Sequence, residues 1–326
     1  MKAVTVNEDQ SMSWSDVEQP KPGIGEVMIR VHATAINRAD LMQRRGFYPP
    51  PAGASPIMGL ECAGEIAAMG GGVERWQIGD RVCALLSGGG YGEYAVAPMG
   101  SVLPIPAGLT YVQAAALPEV FATAWLNLFM EAGLKPGEKV VLHAGASGVG
   151  TAAIQLCKSF SNPCFVTAGS DEKIAACVAL GAAAGSNRNQ GTFLESATSF
   201  AGATGVDVIL DPVGGAYLAD NLKLLGMSGR LVLIGLMGGS KAEIELALLM
   251  MKRLRVIGST LRARPIAEKA QVMAQLEAQV WPKIATGEIQ AIIDSVYDIR
   301  DISKAHDHVA SDTTLGKVVL SVIPAE

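Results

Sequence analysis

Two textures divide the chain. Over residues 138–258, short apolar runs alternate with longer stretches in which apolar residues recur every three or four positions. The runs predict strands at 138–143, 164–168, 206–211, 230–236 and 254–258, with a short or irregular one near 183–186. The periodic stretches predict helices at about 149–160, 172–180, 191–201, 215–225 and 243–252. Such alternation is the pattern of a parallel, doubly wound α/β sheet.

Residues 1 to about 120 read differently, as short strands broken by glycine and proline. Lys2 to Val6, Glu26 to Ile36, Glu61 to Met69, Asp80 to Leu85 and Gly92 to Ala97 are the candidate strands, with a helical turn at Ala39 to Arg45. Three prolines keep Gly46-Phe47-Tyr48-Pro49-Pro50-Pro51 out of both helix and central strand. Beyond residue 260 the pattern gives a long helix from about Pro265 to Gly287, a strand near 292–297, a short helix after Asp301 and a last strand from Lys317 to Val322. These trailing elements suggest a return to the first domain. The expected plan is a mostly β domain over 1–120, completed by 260–326, and a dinucleotide-binding domain over 121–259.

At 326 residues the chain is long enough for about two domains. Its 49% hydrophobic and 17% charged residues argue for well-buried globular structure. A net charge of −5, with no cluster of Lys and Arg, gives no reason to expect nucleic acid as a partner. No window reaches the ~18 apolar residues of a membrane span, and the first ten residues lack a signal peptide's apolar core, so a cytoplasmic protein is expected. Five scattered cysteines fit reduced thiols better than a disulfide framework.

The segment Val140 to Leu156 carries the chemistry. An apolar run passes through His143-Ala144-Gly145-Ala146-Ser147-Gly148-Val149-Gly150 directly into a helical pattern. Gly145 is read as the turn, Gly148 as the point where backbone approaches a pyrophosphate, and Gly150 as the contact between helix and strand, with phosphates on the helix N-terminus. Ser147 stands where the dinucleotide fingerprint has its middle glycine, so an ordinary glycine-rich strand-to-helix turn is the competing reading.

The end of the second strand bears on NAD against NADP. It runs out as Thr167-Ala168-Gly169-Ser170-Asp171-Glu172-Lys173. A neutral tip with Ser170 and Lys173 nearby suits a 2′-phosphate; the alternative makes Asp171 and Glu172 the ribose acids. The histidines, His32, His143, His306 and His308, have no ligand-like spacing with cysteine, and no metal is expected. No G-x-S-x-G elbow is present. The remaining chemistry is hydride transfer by a cofactor, which needs positioning and an apolar pocket.

Together these features resemble the medium-chain dehydrogenase/reductase superfamily, in its zinc-free, zeta-crystallin-like quinone oxidoreductase branch. The segments that carry the likeness are Asn37 to Gly46, Gly59-Leu60-Glu61-Cys62-Ala63-Gly64, Gly79-Asp80-Arg81-Val82 and His143 to Leu156. Within the branch the likeness is greatest to the tumour-suppressor-inducible NADPH:quinone oxidoreductase subgroup, on Tyr48 to Pro51, Thr167 to Ser170 and Gly235 to Gly239.

The resemblance implies a GroES-like first domain, a Rossmann second domain, and NADPH held in a cleft between them. Asn37 and Leu60 stand where the zinc-dependent branch has a cysteine and a histidine, and the segment that would hold a four-cysteine lobe is too short. It further implies cofactor contacts at Thr123, at Gly145, Ser147, Gly148, Val149 and Gly150, at Ser170, Lys173 and Arg188, at Gly235, Leu236 and Met237, and at Lys317. Arg188 replaces a tyrosine of relatives, and Met42 another. Asn37 and Tyr48 would position the acceptor, a quinone or, alternatively, an enone or alkenal double bond. A non-enzymatic NADPH-binding protein is the reading from another class. A homodimer or homotetramer is expected, with Arg253 to Ser259 as the candidate edge.

Overall fold

The computed structural model describes residues 1–323, which fall into two units, Met1–Ala122 with the segment from Leu261 onward, and Thr123–Thr260. Along the chain the first unit opens with β1 (Lys2–Val6), β2 (Met12–Asp16) and β3 (Glu26–Ala35), then α1 (Arg38–Arg44). It continues with β4 (Glu61–Met69), β5 (Arg81–Leu85), β6 (Tyr94–Pro98) and β7 (Val102–Pro104), followed by short α2 (Tyr111–Ala114). Helix α3 (Pro118–Trp125) runs into a π-helical turn, Leu126–Glu131.

The second unit alternates without exception: β8 (Val140–Leu142), α4 (Gly148–Ser159), β9 (Cys164–Ala168), α5 (Asp171–Leu180), β10 (Ala184–Asn187) and α6 (Leu194–Ala201) come first. Then follow β11 (Val206–Asp211), α7 (Leu218–Leu224), β12 (Leu225–Leu233), α8 (Leu246–Lys252) and β13 (Arg255–Gly258). Every pairing in this sheet is parallel and the order is β10-β9-β8-β11-β12-β13. Counted from its first strand that is 3-2-1-4-5-6, the Rossmann order, whose direction reverses between β8 and β11. Ligands bind at such a switch point, beyond the carboxyl ends of the strands. Val141, Phe165, Ile209 and Leu231 form the buried core between sheet and helices. Among the described residues the candidate edge strand β13 pairs only with β12.

The chain then returns to the first unit with α9 (Ile266–Gln279), α10 (Trp281–Ala285), β14 (Ile293–Asp298), α11 (Ile302–Ala310) and β15 (Lys317–Ser321). The long helix expected over 265–287 is two helices, because Pro282 has no N–H to continue the ladder and sits in the first turn of the second. β15 pairs antiparallel with β3, Val319 opposite Ala35, in a seven-stranded sheet that contains β14-β15-β3-β4-β5-β7. Ile36, Leu41 and Met58 share a buried cluster with Ile299, Ile302 and Leu320, so the returning segment supplies part of this core. Among the described residues no helix is long and apolar enough to cross a membrane.

Candidate cofactor and acceptor sites

In the second unit the link from β8 to α4 is a tight turn that runs into a helix N-terminus. Ala144, not Gly145, takes the left-handed conformation (φ 55°) that turns the chain. Gly145 is small for a different reason, since a Cβ there would lie 2.7 Å from Cβ of Val166 on β9. At Gly150 a Cβ would lie 2.5 Å from the carbonyl oxygens of both Ala144 and Gly145, so any side chain would force the turn open. Ser147 is the helix N-cap and its hydroxyl accepts from the Gly150 N–H at 3.1 Å. A capping residue therefore occupies the place of the middle glycine. Among the described residues the N–H groups of Gly148 and Val149 have no protein acceptor, which leaves two helix-terminal donors for an anion.

A buried polar chain underlies this turn. The Thr167 hydroxyl lies 3.1 Å from His143 Nδ1 and also accepts from the Ala144 N–H. His143 Nε2 lies 2.8 Å from Asn221 Oδ1, while Asn221 Nδ2 donates to Asp211 Oδ2 at 3.0 Å. These partners fix a neutral imidazole protonated at Nε2. Burial pulls the His143 pKa down to about 4 and pushes that of Asp211 up to about 6. Asp211 Oδ1 in turn accepts from the N–H groups of Val213 and Gly214. That turn is pinned to the loop carrying Gly235, Leu236 and Met237, because Met237 N donates to Pro212 O and Gly238 N to Val213 O. Leu236 and Met237 keep their apolar side chains about half exposed at the carboxyl end of β12.

At the carboxyl tip of β9, Ser170 caps α5 by accepting from the Lys173 N–H at 3.2 Å. The Arg188 guanidinium covers Gly169, its Nη2 3.2 Å from where a Cβ would stand. The Ser170 hydroxyl, the Lys173 backbone N–H and the Arg188 guanidinium thus stand at this strand tip. Asp171 is tied to the turn that carries Arg188, its two oxygens accepting from Asn187 Nδ2 and Gln190 Nε2. Glu172 is fully exposed, its carboxyl held below the usual range by its own backbone N–H and then the Ser170 hydroxyl. Thr123 lies in α3, and its carbonyl accepts from Asn127 Nδ2 at 2.7 Å.

The first unit holds a buried ion pair that has no local signature in the sequence. Lys317 is 3% exposed and Glu61 0%, with Nζ 2.7 Å from Oε1. Lys317 also donates to Ile36 O at 2.8 Å and to Asn37 Oδ1 at 2.7 Å, which uses its three protons. Asn37 Nδ2 donates to Glu61 Oε1 at 2.9 Å and to Ala35 O at a long 3.4 Å, while Glu61 Oε2 accepts from the Glu119 N–H. Lys317 has no proton left for a cofactor, and the Asn37 amide is held by its neighbours, not presented to an acceptor. Asn37 caps α1, where Asp40 accepts from its backbone N–H; burial raises the Asp40 pKa to about 6.

Tyr48 is half-buried, and its hydroxyl makes no hydrogen bond among the described residues. Arg262 lies over its ring at 5.4 Å and donates Nη1 to its carbonyl at 3.2 Å. The five cysteines are buried, and among the described residues no three His, Cys, Asp or Glu side chains could together hold a metal ion. Of the buried carboxylates of this region, Glu61 is already paired with an ammonium and Asp40 accepts from the N–H groups of Asn37 and Gly59.

Both units have counterparts among known proteins. The family described as alcohol dehydrogenase GroES-like domain matches residues 23–107, and that described as zinc-binding dehydrogenase matches residues 148–278. The quinone oxidoreductase of Rattus norvegicus is 32% identical over 308 residues, 94% of this chain and 92% of that protein. The quinone oxidoreductase from Thermus thermophilus, solved also in complex with NADPH, superposes with a TM-score of 0.83 at 30% identity, over 99% of this chain and 100% of that one. The CurK enoyl reductase superposes with a TM-score of 0.85 at 27% identity, over 99% of each chain.

Proposed function

The chain belongs to the medium-chain dehydrogenase/reductase superfamily, and from that premise we propose that it is an NADPH-dependent reductase of quinones that works without a metal. The observation that carries the cofactor choice is the tip of β9, the strand that packs against Gly145, where the Arg188 guanidinium covers Gly169 next to the Ser170 cap of α5. The Arg188 guanidinium beside this tip suits a 2′-phosphate, and the Asp171 carboxylate has both oxygens engaged by Asn187 and Gln190. Gly148 and Val149 bind the pyrophosphate, and Gly235, Leu236 and Met237 line the nicotinamide end.

NADPH, when bound, supplies the hydride. The chain's own contribution is binding, orientation and exclusion of water. Tyr48 offers a ring face and an uncommitted hydroxyl to the acceptor. Asn37 acts as a positioning residue, its amide fixed by Lys317 and Glu61. A structural or catalytic zinc does not fit the donor set described above, and no step is assigned to one.

The similarity to an enoyl reductase supports a second reading, reduction of an activated C=C bond in an enone. The two separate on kcat/KM for a simple ortho-quinone against a 2-enone with the same NADPH. Quinone turnover at least about tenfold more efficient, a difference of ~1.4 kcal/mol in barrier, supports the proposal. The reverse ranking moves the assignment to the enone, and tight NADPH binding with no turnover of either leaves a binding protein.

A further inference from the structure

Two cations in the first unit are buried without an anion. Arg262 is 5% exposed and Lys269 7%. Arg262 donates Nε to Ser87 O at 2.8 Å, Nη1 to Tyr48 O at 3.2 Å and Nη2 to Gln43 Oε1 at 2.8 Å, all neutral acceptors. Lys269 donates to Ser87 Oγ at 2.6 Å and to Arg262 O at 3.2 Å, again both neutral. Neither forms an ion pair among the described residues. Asp40 acts on Arg262 only at longer range, with its own oxygens already taken by the N–H groups of Asn37 and Gly59.

Leaving a charge in protein without a counter-charge is costly, and two adjacent like charges compound the cost. Burial lowers the pKa of each, and Arg262 lowers that of Lys269 further. Donors remain: Arg262 has five N–H groups and Lys269 three, of which three and two respectively have acceptors. The Tyr48 ring lies against the guanidinium; burial raises its phenol pKa, the Arg262 charge works against that rise, and the Glu119 carboxylate adds to it from longer range. An aromatic face, an unbonded phenol and two cations with no ion-pair partner among the described residues stand together.

We propose that Arg262 and Lys269 form an anion-accepting site beside Tyr48, and that the acceptor taken by this unit is a planar ring bearing an oxygen that is, or becomes, negatively charged. This rests on the reading that unit 1 receives the acceptor. A quinone that accepts a hydride, two electrons and one proton, becomes a hydroquinone monoanion, which then takes one further proton from solvent. The guanidinium is the group placed to hold that charge until the proton arrives. Carboxylated or phenolate-bearing rings are the ground-state mimics of the same species.

The test measures binding of salicylate and of its neutral amide, salicylamide, by calorimetry on the full chain without cofactor. Salicylate is expected to bind at least about tenfold more tightly, and the preference to vanish in Arg262→Gln and to weaken in Lys269→Met. Arg262→Lys, which keeps charge but loses the fork, retains part of it. Equal affinity for the two probes in the unaltered protein overturns the proposal with no variant required, as does a preference that survives both Arg262→Gln and Lys269→Met. Because neither probe is reduced, absent reductase activity with the anion preference intact leaves this site standing and removes only the functional reading.

Discussion

Replacing Lys317 by methionine removes the cation from an ion pair with almost no contact to water while leaving the aliphatic stem in place. Glu61, 0% exposed, then keeps only Asn37 Nδ2 and the Glu119 N–H as partners for its charge. Breaking one side of a buried pair costs about 3–5 kcal/mol, because the remaining charge stays desolvated. For a unit of this size each kcal/mol moves the midpoint by ~2–4 °C, so a fall on the order of 10 °C is expected. Tryptophan fluorescence suits the assay, since Trp14, Trp76 and Trp281 lie in the first unit and only Trp125 in the second. Lys317→Met with Glu61→Gln removes the orphaned charge and should recover most of the loss. The reasoning fails if the single variant loses under ~1 kcal/mol, or if the double variant loses the sum of the two singles.

The second unit gives two more expected outcomes. Gly150→Ala must push apart two carbonyls that would stand 2.5 Å from the new Cβ, so NADPH affinity should drop at least about tenfold, whereas Gly71→Ala, with nothing within 4 Å, should leave it unchanged; a fluorescence titration giving the same Kd for both variants would sink the cradle assignment. His143 has its folded pKa depressed to about 4 from 6.5, so its contribution to stability is complete above pH 6.5 and is lost as pH falls toward 4, by at most about 3 kcal/mol. Asp211, raised to about 6, acts with the opposite sign: its contribution is present below 3.8 and lost as pH rises through 6. The measurement is therefore the difference between the protein and His143→Gln in denaturant unfolding from pH 7 to 4, and equal slopes would contradict the neutral, buried assignment.

The second unit was legible because its signals are local. Parallel strands buried among helices read as apolar runs, and β9 and β11 have the residues expected. Ser147 and Ser170 are caps of the kind that mark helix starts, although the sequence presented Ser147 as a flaw in a glycine motif. Helix α3 and its π-helical continuation were missed, since Pro118 to Phe129 is apolar around most of its circumference and shows no clear period. Strand β12 begins at Leu225, five residues before the expected start, because Gly226, Ser228 and Gly229 obscure the run.

The acceptor side was legible only as residue names. Asn37 and Tyr48 were found by resemblance, but what holds them arrives from the far end of the chain: Lys317 reaches Asn37 across 280 positions and Arg262 reaches Tyr48 across 214. Contacts of that span leave no periodicity or spacing to read. His143 was set aside as having no metal role, and the chain through Asn221 to Asp211 has no motif, only burial, to announce it.

The most direct measurement of the central claim is absorbance at 340 nm during oxidation of NADPH and, separately, NADH by the purified, metal-free protein, with and without an ortho-quinone, alongside Arg188→Leu. Quinone-dependent loss of NADPH, little loss of NADH, and a preference reduced about tenfold or more in the variant are the expected results, one charge-assisted contact being worth roughly 1.5–3 kcal/mol. Quinone-dependent oxidation of NADH at the same efficiency as NADPH, unaffected by Arg188→Leu, would contradict the assignment of the β9 tip, and no quinone-dependent oxidation of either would contradict the function.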